Sequence, residues 1–409
     1  MQTMAAPGIT GTVSLLPGRK RHRIESIDLL RGIVMIIMAL DHVRDYFHKD
    51  AFLYEPTDLS RTNVLLFFTR FITHFCAPIF ILLAGVSAYL AGMRKTKKEL
   101  AFYLFTRGLW LIFAELFLIS LGRTFNPTFS YVNLQVIWAI GVCMIVLSGL
   151  IFLNTRVILA IGLILVGAHN FLDNIHPTGS VAISFLWCVL HEPSKFHFGN
   201  ILVYVHYPLL PWIGRIAIGY CLGRLYSPDY DEEKRKKTLL FLGLISLLLF
   251  LILRSTNLYG DAATWSVQKN MVFSFLSFLN VTKYPPSLLY VLITTGPGLI
   301  FLAFAEKPLN RFTKLLTVYG RVPFFYYVVH IYLIHLFAMT AAYLSDFHLS
   351  DMILYDSVNH VSQLKNYGFT LLIVYIVWIG LVCILYPLCK WFDNYKRIYQ
   401  HSKSWLTYV

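Results

Sequence analysis

Residues 26–47 read as an apolar helix that carries charge at both ends. Asp28 and Arg31 stand in its first turns, and Asp41, His42, Arg44 and Asp45 close it. A helix inside a bilayer should exclude ionisable groups, so the default is that these face a cavity and serve a function. Spacing sharpens the point. Arg31 and His42 are eleven positions apart, which at about 100° per residue is three turns plus roughly 20°. Both side chains therefore lie on one face, roughly 16 Å apart along the axis.

The rest of the chain is the setting that such a helix needs. Its 409 residues are 57% hydrophobic and 14% charged, against about 25% charged in a soluble domain. Ten apolar stretches are long enough for a hydrocarbon layer of about 30 Å. They are residues 26–47, 63–92, 100–121, 132–153, 157–172, 199–223, 238–255, 285–304, 317–344 and 367–390. The expected fold class is an all-α polytopic membrane protein of about ten transmembrane helices. Residues 1–25 read as a basic cytoplasmic tail without a signal-peptide core, 26–392 as the transmembrane domain, and 393–409 as a second cytoplasmic tail.

Of the 35 Lys and Arg residues, 21 fall in segments that this topology makes cytoplasmic and seven in outer loops. That positive-inside bias puts both termini in the cytoplasm. A net charge of +14 would suggest a nucleic-acid partner in a soluble chain. Here the charge sits mostly in short loops between spans, so it reports topology, and no nucleic acid is expected. Residues 181–190 are apolar but too short to span, and are expected at the interface or packed on the bundle. The six cysteines show no CxxC pair, so neither disulfide nor metal is expected. Pro78 and the Gly296–Pro297–Gly298 run mark helix kinks, and glycine pairs in the spans read as close helix packing.

Several residues could carry chemistry. His42, with an ordinary pKa of about 6.5, is the natural general base. Asp41 precedes it and Asp45, one turn on, could orient its ring. Arg31, with Asp28 as its neighbour one turn back, offers a guanidinium fork suited to phosphate at the inner mouth of a cavity. His74, just ahead of Pro78, is as readily a site residue as a structural one. Gln135, Trp138 and His330 join Glu115, His206, Tyr207 and His335 as polar groups of the interior. Lys283, Tyr284 and Ser287, in the run KYPPS, either shape an acceptor entrance or anchor a helix start. There is no P-loop, HExxH or GxSxG motif.

The Arg31-x10-His42 spacing resembles the Arg-x10-His signature of transmembrane acyltransferases. More closely, the chain resembles the bacterial branch of the heparan-α-glucosaminide N-acetyltransferase-like family. The matching segments are 73–87 (THFCAPIFILLAGVS), 134–141 (LQVIWAIG), 207–223 (YPLLPWIGRIAIGYCLG), 283–298 (KYPPSLLYVLITTGPG) and 320–335 (GRVPFFYYVVHIYLIH). The resemblance implies a bundle that moves an acyl group, usually acetyl from cytosolic acetyl-CoA, to an acceptor across the membrane. In such a protein His42, Asp41, Asp45 and His74 are expected at the reacting centre. Arg31, Asp28, Gln135 and Trp138 are expected on the acyl-CoA, and Lys283, Tyr284, Ser287 and His330 on the acceptor. The catalytic histidine of the lysosomal relatives falls slightly later, which favours His48; both are kept, with His42 ahead. The expected partners are acyl-CoA, a saccharide or glycolipid acceptor and the lipid of a bacterial cytoplasmic membrane, and a homodimer is compatible with such a bundle. A proton-coupled transporter is the rival reading, because broken spans and buried histidines would also serve that purpose.

Overall fold

The computed structural model describes residues 24–408 apart from 178, 307, 359, 360 and 401; the expected N-terminal basic run lies outside the described residues. Among them, six helices are long and apolar enough to cross a membrane. They cover Val64–Gly92, Lys97–Thr124, Thr155–Leu172, Glu232–Thr256, Pro323–Tyr343 and Leu371–Tyr399. Phe241, Leu244, Leu248, Leu251 and Ile252 stand exposed along one of these, a stripe that lipid solvates and water would not. The other four expected spans meet shorter or more charged helices: Glu25–Phe47, Val136–Leu150, Leu210–Leu222 and Leu288–Phe304. The last helix continues to Tyr399, seven residues into the expected C-terminal tail.

The first helix, Glu25–Phe47, sits among Cys76–Gly92, Arg311–Arg321, Pro323–Tyr343 and Leu371–Tyr399. Glu25 and Asp28 in its first turn and Arg44 in its last complement the helix dipole. It approaches Arg311–Arg321 almost backbone to backbone. A Cβ on Gly320 would lie 1.9 Å from the Asp28 carbonyl oxygen, and one on Gly32 would lie 2.0 Å from that of Leu316. Only glycine permits this, as in other tightly crossed membrane helices. The pairs Gly108–Gly141, Gly162–Gly214 and Gly243–Gly296 face each other in the same manner, so glycine pairs do pack helices here.

Two expected spans are broken. Residues 63–92 form Val64–Thr73 and Cys76–Gly92, interrupted at His74. Pro78 has no N–H to offer the carbonyl four residues back. That orphaned His74 carbonyl accepts from the Tyr290 hydroxyl at 2.7 Å instead. Residues 317–344 divide at Val322, ahead of Pro323.

The all-α expectation also needs a correction. A three-stranded sheet forms from β1 (Tyr131–Leu134), β2 (Ser194–Phe198) and β3 (Ile201–Val205), in the order β1-β3-β2. β1 runs parallel to β3, and β2 pairs antiparallel with it. The β2–β3 hairpin turns through Gly199, whose φ of +60° favours glycine. Ile201–Val205 is apolar enough to read as the start of a span, which is why the sequence hid the strand.

The helix crossing yields the first prediction. Gly320→Val forces two backbones apart and should cost about 3 kcal/mol. Gly149→Ala, where a Cβ meets nothing within 4 Å, should be neutral. Thermal unfolding in detergent reads both, and an unchanged midpoint in Gly320→Val would contradict the close crossing.

Candidate active site

At its C-terminal end the first helix borders a cavity of about 460 Å³. Met38, Asp41, His42, Arg44 and Asp45 form its floor. Arg70, His74 and Cys76 enter from the broken span, Arg123 from the end of Lys97–Thr124, and Gln135 from the cap of Val136–Leu150. The sheet supplies the facing wall, because β3 delivers Tyr204 and leads into His206 and Tyr207. Residues 280–284 close the rim.

That rim is held from two sides. Arg254, 1% exposed, donates to the carbonyls of Ala263, Ser277, Phe278 and Asn280 at 2.7–2.9 Å. Asp261 accepts from the Thr282 backbone N–H and hydroxyl at 2.8 and 2.6 Å, and from the Ser287 hydroxyl at 2.8 Å. These contacts fix Lys283 and Tyr284 over the cavity. The Tyr284 hydroxyl donates to that of Tyr207 at 3.3 Å.

The orientation of His42 follows from a chain of hydrogen bonds. His330 Nδ1 lies 3.0 Å from the Tyr326 carbonyl, which can only accept, so Nδ1 carries the proton. A neutral His330 then offers Nε2 as an acceptor. His42 Nδ1 lies 2.8 Å from that nitrogen and must donate to it. The remaining lone pair of His42 is therefore on Nε2, and Arg123 Nη2 stands 3.4 Å from it. The same Arg123 nitrogen donates to the Tyr327 hydroxyl at 2.9 Å, and the Tyr46 hydroxyl donates to the Arg123 carbonyl. The result is a half-buried imidazole with a defined tautomer, beside a guanidinium, on the wall of a polar cavity.

The partner that fixes the ring is thus His330, not Asp45. Asp45 pairs with Arg44 at 2.6 Å, and Asp41 pairs with Arg44 at 2.9 Å and Arg70 at 2.5 Å. Three lining carboxylates (Asp41, Asp45, Glu55) face four lining cations (Arg44, Arg70, Arg123, Lys283). The cavity is positive on balance and suited to an anion or a developing oxyanion. His74 and His206 line it as well, each with a buried Nδ1 that has no hydrogen-bond partner in the protein.

The expected site residues divide. His42, Asp41, Asp45, His74, Gln135, Lys283 and Tyr284 meet around the one cavity. His330 stands behind His42 rather than among the lining residues. Ser287 caps Leu288–Phe304 and is turned to Asp261. Trp138 is buried, its backbone N–H donating to Glu115 Oε2 at 3.0 Å. His48 caps the turn Lys49–Phe52, its Nδ1 accepting from the Asp50 N–H at 3.3 Å, away from the lining residues.

Arg31 also lies apart. It donates to the Gly320 carbonyl at 3.2 Å and the Ser87 hydroxyl at 3.0 Å, with Asp28 at 3.5 Å. The cavity reaches down the first helix to Met38, and Met35, 1% exposed, is packed on the same face between it and Arg31. The expected common passage from Arg31 to His42 is interrupted there. Sequence reasoning passed over Arg123, Tyr204 and Glu55. The available signal for Arg123 was its place at the end of a span on the same side of the bundle as His42.

A family model described as heparan-alpha-glucosaminide N-acetyltransferase, catalytic, matches residues 23–255, more than half of the chain. No curated protein matches it.

The cluster of Asp41, Arg44 and Arg70 gives the second prediction. Asp41→Asn leaves the buried Arg44 and half-buried Arg70 guanidiniums without their shared carboxylate and should cost about 3 kcal/mol. Combining it with Arg70→Gln should restore part of that loss. A double variant less stable than the sum of the singles, in thermal unfolding, would count against the pairing.

Proposed function

The chain belongs to the heparan-α-glucosaminide N-acetyltransferase catalytic family, and from that premise we propose that it transfers an acetyl or other acyl group from cytosolic acyl-CoA to a saccharide acceptor. The acceptor is a hydroxyl or amine of a glycan or glycolipid on the outer side of a bacterial cytoplasmic membrane. Ten spans with both termini in the cytoplasm accord with the Lys and Arg distribution, and the cavity then opens outward.

The observation that carries this reading is the directed His330–His42 hydrogen bond beside Arg123. The acceptor O–H or N–H docks against His42 Nε2, displacing the Arg123 contact. As its oxygen or nitrogen attacks the thioester carbonyl carbon, His42 takes the proton. The imidazolium that forms is steadied through Nδ1–H by His330. Arg123, Lys283, Gln135 and His74 are the candidates to stabilise the oxyanion. The C–S bond then breaks, and the departing CoA thiolate recovers the proton from His42. An acyl-His42 intermediate would use the same nitrogen; acid quenching of labelled enzyme without acceptor separates the two routes.

Arg31 remains the proposed phosphate ligand at the inner end. A phosphate there exchanges for Ser87 and Asp28, and the pantetheine arm passes Met35 and Met38, unbranched side chains that adapt readily.

Detergent-solubilised protein and radiolabelled acetyl-CoA provide the test. His42→Ala should lower acetyl transfer or thioester hydrolysis by about 10²–10⁴-fold. His330→Phe should lower kcat at least tenfold with KM for acetyl-CoA unchanged, because it removes orientation and not binding. His48→Ala should retain most activity. A His42→Ala enzyme with normal turnover would overturn the assignment.

A further inference from the structure

Away from the cavity, three side chains that acyl transfer does not use come together after the Thr155–Ala168 helix. His169 opens the turn His169–Leu172, Asp173 lies four residues on, and His191 caps Val181–Leu190. One donor atom from each lies within 4.8 Å of the other two. His191 Nε2 is 3.1 Å from Asp173 Oδ1, and the two imidazoles meet edge to face with centroids 5.8 Å apart.

The cluster is buried and underbonded. His169 is 3% exposed and His191 2%. Neither ring nitrogen of His169, nor Nδ1 of His191, has a hydrogen-bond partner of good geometry, although the Pro286 carbonyl neighbours the His169 ring. An orphaned buried polar group costs about 1–3 kcal/mol, and this pocket holds several. The carboxylate, by contrast, is deliberately aimed. Asn170 Nδ2 donates to Asp173 Oδ2 at 2.8 Å, while Asn170 Oδ1 accepts from the Leu288 N–H at 2.9 Å. Outer hydrogen bonds that orient a ligand carboxylate are characteristic of metal centres.

We propose that His169, Asp173 and His191 bind one divalent transition-metal ion of the zinc type. Two imidazole nitrogens and one carboxylate oxygen suit Zn²⁺ or Co²⁺ rather than Mg²⁺ or Ca²⁺. Tetrahedral bonds of about 2.0–2.1 Å put neighbouring donors about 3.3 Å apart. The His191–Asp173 pair already has that spacing, and His169 closes in by about 1.5 Å at most. A solvent molecule completes the fourth position. The ion fastens the interfacial helix Val181–Leu190 to the end of Thr155–Ala168 and, through Asn170, to the start of Leu288–Phe304. It thereby secures the root of the β2–β3 hairpin that carries Tyr204 to the cavity. The ligand spacing of three residues and then seventeen matches none of the short metal motifs, which is why the sequence alone gave no sign of it.

Full-length protein in detergent, stripped with chelator and dialysed against micromolar zinc, should retain one zinc per chain by elemental analysis. Its thermal midpoint should rise with zinc. Cobalt should give the visible absorption of a four-coordinate nitrogen–oxygen site. His169→Gln and His191→Gln should each lose the metal and the thermal shift. His176→Ala, which removes an exposed histidine paired with Glu192, should keep both. Absence of stoichiometric zinc in the wild type, or equal retention by the His169→Gln/His191→Gln variant, overturns the proposal. The cobalt spectrum of the wild type decides it should the variants fail to fold.

Discussion

A single hydrogen bond between two histidines gives the cavity its direction. Without His330, His42 could present either ring nitrogen to the cavity, and its lone pair would have no fixed direction. The Tyr326 carbonyl settles the proton on His330, His330 settles it on His42, and the lone pair faces inward. In many enzymes a carboxylate holds the imidazole. Here the nearby carboxylates are occupied by arginines, and a neutral ring fills that position. In the proposed transfer a neutral partner steadies an imidazolium less than a carboxylate would, which leaves more of the stabilisation to cations facing the other reactant. Arg123 and Lys283 are the lining cations proposed to supply it.

The broken second span shows how a helix defect becomes a wall. Pro78 removes one donor, the His74 carbonyl is freed, and Tyr290 supplies the missing hydrogen bond from a helix far along the chain. The break opens the turn that carries His74 and sets Arg70 against Asp41. Loop anchors complete the enclosure. Arg254 and Asp261 are remote from the chemistry, yet between them they hold the segment that presents Lys283 and Tyr284.

The membrane character and the long apolar helices were legible in the sequence because each rests on local pattern. Apolar stretches of about twenty residues demand lipid, and charges within them demand a purpose. The Arg31-x10-His42 spacing puts both groups on one helix face by phase alone, but helical phase says nothing about what fills the space between, and Met35 does. The His42–His330 and Asp41–Arg70 pairs join distant helices, so no local signal could assign them. Asp45 looked like the natural partner for His42 because it is close in sequence; Arg44 is closer still and fully buried. The small sheet was hidden because Ile201–Val205 has the composition of a membrane helix and only its pairing with Tyr131–Leu134 reveals a strand.

The glycine crossing at the foot of the first helix has a mechanical meaning. With Gly32 locked against Leu316 and Gly320, the helix is a rod clamped at one end, and His42 rides about 15 Å above the clamp. A tilt of about 5° there displaces the imidazole by about 1.3 Å over that lever, enough to make or break its bonds to His330 and Arg123. Events at the foot of the first helix, far from the cavity, therefore have a direct means of setting whether His42 is aligned with His330 and Arg123.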